Sequence, residues 1–155
     1  MKLEKQFIKK AIMGVIAVCI AAALSLLLKN ILDARDPENA LPQMSVTAGT
    51  TTVDPVRAGY EWNFITITKR GPTVSAEDVP LVPKQVQAGV PISLSFSSKE
   101  ESVEIARMDG IPSEGGFLPV AGDLITPLQP GRYVYKVQVN FKKGYIIYYF
   151  AVEVM

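Results

Sequence analysis

Histidine is absent from this chain of 155 residues, and Cys19 is its only cysteine. Without histidine, neither a Ser-His-Asp triad nor a Cys-His pair can form, and no zinc site can be built from histidine and cysteine. A single cysteine also excludes a disulfide within the chain. The charges nearly cancel, with 16 Lys and Arg against 15 Asp and Glu, so the composition does not indicate nucleic acid as a partner.

Proline is missing from the first part of the chain, which instead contains a long uncharged stretch. Every proline lies at or after Pro37, and Ala11–Leu28 carries no charged residue. As a helix this stretch would rise about 27 Å, close to the roughly 30 Å hydrocarbon core of a bilayer. Apolar residues cover every face of that helix, whereas a core helix of a soluble domain has one apolar stripe. The sequence therefore predicts a transmembrane helix over residues 11–32, with the lipid bilayer as its partner.

The flanking charges predict the orientation of this helix. Four lysines precede it, namely Lys2, Lys5, Lys9 and Lys10, against the single acid Glu4. The positive-inside rule then leaves residues 1–10 in the cytoplasm and exports the rest. The stretch is longer than the 7–15 residues of a signal peptide, and it ends in LLLKN without a small-x-small site, which favours an uncleaved signal anchor. Cleavage, and lipidation at Cys19 within a partial bacterial lipobox, remain open alternatives.

The exported part has the pattern of a β domain behind a short linker. Residues 33–42 are polar and contain two prolines, which predicts a tether. In residues 43–155 apolar positions alternate, and Pro or Gly recurs about every 8–12 residues. We therefore predict an all-β fold, an antiparallel immunoglobulin-like sandwich of six to eight strands behind one N-terminal transmembrane helix.

The C-terminal residues predict a long hairpin. Alternating residues after Pro130-Gly131 form one strand to Phe141, and Lys142-Lys143-Gly144 is a turn before a return strand to Val154. The odd-numbered face of the first strand is expected in the core. Shorter strands are predicted within residues 44–53, 60–67, 82–86, 92–96 and 103–105, with either a bulge near Phe64 or a strand buried on both faces there. Residues 109–127 are expected to be irregular.

Two candidate interaction surfaces follow from these patterns. If the even-numbered residues of the return strand point to the core, Tyr145, Ile147 and Tyr149 form an outward apolar strip. That strip is either covered by the loop of residues 109–127 or is a docking surface for another molecule. In the apolar helix, small residues recur at helical spacing and form a candidate packing ridge of Gly14, Ala17, Ala21 and Ser25.

Candidate catalytic groups are confined to acidic and Ser-Lys clusters. The acidic clusters Glu77-Asp78, Glu100-Glu101 with Glu104, and Asp109 lack the spacing of a calcium loop. Ser97-Ser98-Lys99 falls at a predicted hairpin turn. The sequence also lacks a Gly-rich phosphate loop. We therefore expect no enzymatic activity, no metal and no cofactor.

Three segments together resemble a family of extracytoplasmic domains. They are Ala58-Gly59-Tyr60-Glu61-Trp62, the stretch Val86–Phe96, and Pro130–Tyr135 with the return strand Tyr149–Val154. The pattern is similar to small membrane-anchored immunoglobulin-like sandwich domains of Gram-positive bacteria, including tails of β-lactam-sensor-type membrane peptidases. The resemblance implies a tethered sandwich and supplies no active site. The chain departs from it by lacking a cysteine near Trp62, and it lacks the metal ligands of the peptidase part.

These observations lead to one expected function and two alternatives. The expected function is a non-catalytic binding or envelope-sensing module, single-pass in the cell membrane with its C-terminal domain outside the cytoplasm. Its partner is expected to be an envelope protein or a cell-wall component, and not a nucleic acid. The alternatives are a small accessory subunit that acts through its transmembrane helix, and an extracellular hydrolase that uses carboxylates alone.

Overall fold

The computed structural model describes residues 2–110 and 116–155, and it confirms a mostly β fold behind one apolar helix. Within these residues two sheets contain ten strands, more than the six to eight predicted. The excess comes from strands of two or three residues, which are too short to show alternation. The elements are α1 (Lys2–Arg35), α2 (Pro37–Ala40), β1 (Met44–Ala48), β2 (Thr51–Val53), β3 (Val56–Asn63), β4 (Thr68–Arg70), β5 (Lys84–Val86), β6 (Ile92–Phe96), β7 (Ser102–Asp109), β8 (Leu118–Pro119), β9 (Gly131–Phe141) and β10 (Gly144–Val154).

The chain divides into two compact units. One contains both helices together with Phe64–Ile67, and the other contains Leu41–Asn63 and Thr68–Met155. In the first unit, Ile8–Arg35 is a helix long and apolar enough to cross a membrane, with exposed side chains along its apolar stretch.

Residues 33–42, which the sequence predicts as a tether, are largely helical in the structure. Helix α1 continues to Arg35, and α2 begins directly after Asp36. The Asp36 carboxylate accepts a 2.7 Å hydrogen bond from the Asn39 side-chain amide, and Pro37 occupies the first helical position. Proline favours a helix start here, because its fixed φ suits the first turn.

The larger sheet is built around the C-terminal hairpin, as the sequence predicts. Its strand order is β4-β3-β10-β9-β7-β8, and β5 pairs in parallel with the end of β10. Strands β9 and β10 pair along their whole length, from Phe141 opposite Gly144 to Gly131 opposite Val154. The smaller sheet has the order β2-β1-β6. The region 44–53, predicted as one strand, contains β1 and β2, which are joined by a turn at Gly49.

Aromatic side chains contribute to the core of the sandwich. From Tyr133 to Phe141, the odd-numbered residues of β9 are buried as predicted. Tyr135 stacks on Phe150 with ring centroids 4.7 Å apart. Phe141 joins the two sheets, since its ring lies 6.3 Å from that of Phe96 in the smaller sheet and 5.5 Å from that of Trp62 in the larger one.

In the sequence, the large apolar residues from Tyr60 to Phe64 are even-numbered, whereas the next two, Ile65 and Ile67, are odd-numbered. The structure explains this change by a turn and not by the predicted bulge near Phe64. Strand β3 ends at Asn63, and Phe64 and Ile67 then exchange two backbone hydrogen bonds of 2.8 and 3.3 Å. These bonds close a turn, so the following residues return along β4. The irregularity of β3 lies instead at Ala58, where the pairing with β10 shifts by one residue. In the predicted irregular stretch of residues 109–127, β8 is present and residues 111–115 lie outside the described residues.

Candidate functional site

The predicted strip on β10 does lie on the face opposite Ile146, Tyr148 and Phe150, but the chain itself covers most of it. Ile147 is 9% exposed and Tyr149 is 6% exposed. Both belong to a second apolar cluster whose other buried members are Ala58, Ala76, Val79, Val134 and Ala151. This cluster lies on the face of the larger sheet that the alternation of residues in β10 predicts to point away from the core of the sandwich.

The cover of this face comes chiefly from the connection between β4 and β5. Val74, Ala76, Val79 and Leu81 from this connection pack on the cluster, and Phe117 adds its ring at 5.8 Å from that of Tyr149. Tyr145 packs against the cluster and stays partly exposed. The prediction of a docking surface is therefore wrong for Ile147 and Tyr149, because internal packing already buries them. Of the described residues in the stretch 109–127, which was expected to provide the cover, Phe117 packs against the cluster.

The small-residue ridge lies on an exposed part of α1. The side chains of Ala17, Ala21 and Ser25 are exposed, and a Cβ at Gly14 would meet nothing within 4 Å in the described part of the chain. The Ser25 hydroxyl donates a 2.9 Å hydrogen bond to the Ala21 carbonyl, so its polar atom is satisfied within the helix. The geometry is compatible with helix–helix packing in a membrane, and that role stays a prediction.

A groove at the β7–β8 edge of the larger sheet was not predicted from the sequence. Its cavity measures about 520 Å³, within the range usual for ligand pockets. Arg107, Met108 and Asp109 of β7 line one side, and Gly116 and Leu118–Ala121 line the other. Sequence alternation in β7 could have placed Arg107 and Asp109 on one face, but it could not show that β8 folds against them.

The Arg107 guanidinium is fixed at the wall of this groove by two neighbours. Its Nε lies 3.0 Å from the Asp109 carboxylate, and its guanidinium carbon lies 5.3 Å from the centre of the Tyr133 ring. The side chain remains 34% exposed. A guanidinium has five N–H donors in a planar fork, so an oriented one can bind a carboxylate or another planar acceptor. Among the described residues that line the groove, no nucleophile is paired with a base.

Tyr135 lies next to this wall, because it pairs with Arg107 across β7 and β9. Its side chain is fully buried, and within the described residues its hydroxyl has no hydrogen-bond partner. Burial raises the pKa of Tyr135 to about 12, and the nearby Arg107 charge opposes that shift only in part. Tyr135 is therefore neutral at physiological pH.

The acidic residues are distributed over separate places in the domain. Glu61 pairs with Arg70 at 2.7 Å and Asp54 with Lys84 at 3.0 Å, while Asp78 accepts a 2.9 Å hydrogen bond from Ser75. Among the described residues, no three Asp, Glu, His or Cys side chains come together in a group that could hold a metal ion.

No protein-family model, curated protein or solved structure matches this chain. The resemblance to anchored domains of Gram-positive bacteria, and the immunoglobulin-like type of sandwich, therefore stay predictions.

Because Tyr149 is buried and Tyr145 is partly exposed, substitutions at these two positions of the β10 strip should differ in their effect on stability. Tyr149→Ser removes a buried ring and should lower the free energy of unfolding by about 3 kcal/mol or more. Tyr145→Ser, at the partly exposed end of the same strip, should cost about 1 kcal/mol or less. Urea unfolding of the full chain in detergent, followed by the fluorescence of Trp62, measures both. Equal, small costs would show that the strip is not part of the core.

The unpartnered hydroxyl of Tyr135 leads to a second prediction. Tyr135→Phe should leave stability near neutral pH unchanged or higher, because it removes a buried hydroxyl without a partner. Tyr133→Phe is the matched control. It should cost about 1 kcal/mol, because the Tyr133 hydroxyl donates a 2.9 Å hydrogen bond to the Gln129 carbonyl.

The same pair of variants differs in pH dependence. Tyr135 has a folded-state pKa of about 12 and an ordinary value near 10, so the folded state holds the proton more tightly. Its contribution to stability is complete below about pH 10 and is lost as the pH rises toward about 12. The decline of unfolding free energy across this window should be smaller for Tyr135→Phe than for Tyr133→Phe. An equal decline in both variants would contradict the assignment.

Proposed function

We propose that this protein is a membrane-anchored extracytoplasmic binding module that has no catalytic activity. The observation that carries the proposal is the helix Ile8–Arg35, which is joined to a β-sandwich with an open groove. Its uncharged stretch Ala11–Leu28 is exposed along its whole length. An apolar surface of this extent is costly in water and favourable in a bilayer. The helix is the anchor, and the sandwich is the part that recognises a partner.

The orientation of the anchor follows from the charges at its two ends. Lys9 and Lys10 are exposed before the apolar stretch, while Asp33 and Asp36 follow it. Lysines on the N-terminal side favour a cytoplasmic N-terminus, so the sandwich lies on the outer side of the cell membrane. This orientation makes an envelope protein or a cell-wall component the partner class.

Recognition in this proposal takes place at the groove between β7 and β8. A fixed and partly exposed Arg107 beside the exposed Leu118 offers one charged donor group and one apolar contact. Peptide or polymer segments that carry carboxylates match this combination. The separate, ion-paired positions of Glu61, Asp54 and Asp109 favour binding over a carboxylate-dependent hydrolase, which needs two carboxyl groups that converge on one bond.

Topology is tested by labelling single cysteines in intact cells. In a Cys19→Ser background, Lys142→Cys on the sandwich should react with a membrane-impermeant maleimide, because Lys142 is exposed and lies outside the cytoplasm. Gln6→Cys, exposed before the span, is the matched control and should react only after permeabilisation. The reverse pattern, or a mature protein that begins near residue 24, would contradict the proposed anchor.

Binding at the groove is tested by site-specific photo-crosslinking in the native membrane. A photoreactive phenylalanine at Leu118 should form an adduct with an envelope component, and Arg107→Ala should reduce its yield about ten-fold, as loss of a charge-assisted contact does. The same probe at Val82, which is 69% exposed against 72% for Leu118, lies outside the groove and serves as the control. Equal adducts at both positions, or adducts that Arg107→Ala leaves unchanged, would refute binding at this groove.

A further inference from the structure

Four side chains at the β7–β8 groove project from the same face of the larger sheet. Arg107 is paired with Leu118 across β7 and β8, and Asp109 is paired with Tyr133 across β7 and β9. Residues paired in antiparallel strands point to the same side, and so do residues two apart in one strand. Because Tyr133 belongs to the buried odd-numbered residues of β9, this side is the core face of the sheet.

Exposure increases along this face from β9 toward the edge of the sheet. Tyr133 is 6% exposed, the Arg107 side chain is 34% exposed, and Leu118 is 72% exposed. The cover of the core therefore ends between β9 and β8. Solvent reaches Leu118 and part of Arg107, and a ligand that enters the groove can contact both.

The Arg107 guanidinium has one edge left for such a ligand. Its Nε donates a 3.0 Å hydrogen bond to the Asp109 carboxylate, and the Tyr133 ring covers one of its faces. Among the described residues, no hydrogen-bond acceptor is recorded for its two terminal nitrogens. Together these nitrogens offer a pair of parallel N–H donors, which is the geometry that binds both oxygens of one carboxylate.

Asp109 limits the charge that this site accepts. Its carboxylate is mostly exposed and lies beside the guanidinium, so the pair has no net charge. A ligand with a single carboxylate gains the two hydrogen bonds to Arg107. A second negative group close to the first would be repelled by Asp109. The site therefore suits a monocarboxylate better than a phosphate dianion or a row of acidic groups.

An aliphatic surface adjoins the free edge of the guanidinium. Leu118 lies directly opposite Arg107, which places their Cβ atoms about 5 Å apart, and Val120 also lines the groove. The last residue of a peptide carries a carboxylate and a side chain on one Cα, so its two groups match this spacing. An acidic side chain within an extended peptide has its nearest neighbour on the same face about 6.6 Å away, and its own residue supplies no aliphatic group.

We propose that the β7–β8 groove binds the free C-terminus of a peptide, with the terminal carboxylate on Arg107 and the aliphatic side chain of the last residue against Leu118 and Val120. This inference rests on the function proposed above, because it takes the same groove as the binding site and names the chemical group recognised there. The partner is a peptide chain end on the outer side of the membrane.

Fluorescence anisotropy with defined peptides tests this proposal on the full chain in lipid nanodiscs. The probe is an N-terminally fluorescein-labelled tetrapeptide, Gly-Gly-Ala-Leu, with either a free carboxylate or a C-terminal amide. The free acid should bind at least about ten-fold more tightly than the amide, because the amide loses the charge-assisted contact with the guanidinium. The free acid Gly-Gly-Ala-Gly should bind at least about three-fold more weakly than the peptide that ends in Leu, because it lacks the aliphatic contact.

Variants of the two contact residues assign these preferences. Arg107→Ala should abolish the preference for acid over amide, and Arg107→Lys should retain only part of it, because an ammonium lacks the two parallel donors. Arg70→Ala is the matched control, since Arg70 also pairs through Nε with a carboxylate, that of Glu61 at 2.7 Å, but lies on β4 at the opposite edge of the sheet. Leu118→Ser should remove the preference for Leu over Gly and preserve that for acid over amide. The emission of the buried Trp62 verifies folding in each variant.

Three results would overturn the inference. The first is equal affinity for acid and amide, which includes binding of neither. The second is equal affinity for the free acid and for the amide of Gly-Glu-Ala-Leu, which would show that any carboxylate suffices. The third is displacement of the labelled free acid by oligogalacturonate as effective as that by unlabelled peptide, which would assign the groove to polymer carboxylates. If any of these occurs while photo-crosslinking at Leu118 still depends on Arg107, the groove remains the binding site; loss of both overturns both proposals.

Discussion

Burial of β10 on both faces is the constraint on which the rest of the structure depends. The strand pairs with β9 along one edge, and with β3 and then β5 along the other. Its even-numbered side chains, such as Ile146 and Phe150, are fully buried in the core of the sandwich, while Ile147 and Tyr149 are buried on the opposite face. A strand in this position must be apolar at nearly every residue. Because both faces need a cover, the domain requires the smaller sheet on one side and the connection between β4 and β5 on the other.

The parts of the fold that could be predicted from the sequence are those in which one residue pattern extends over many consecutive residues. Eleven-residue strands on either side of Lys142-Lys143-Gly144 give a clear alternation, and the uncharged stretch Ala11–Leu28 has the length of a membrane span. Position 144 also requires glycine, because its φ is 150° and a Cβ there would overlap the Glu61 carbonyl oxygen.

The parts that could not be predicted depend on contacts between distant segments. Strand β5 has three residues and is fixed by its pairing with Val152–Val154, which no local pattern indicates. The cover of Tyr149 comes from Ala76 and Val79, in a segment with two polar or charged residues between them and no regular period. The groove has the same origin, since Arg107 becomes part of a cavity only when Leu118 and Pro119 pair with β7. The apolar run around Ile65 was visible in the sequence, but alternation alone assigned it to a strand.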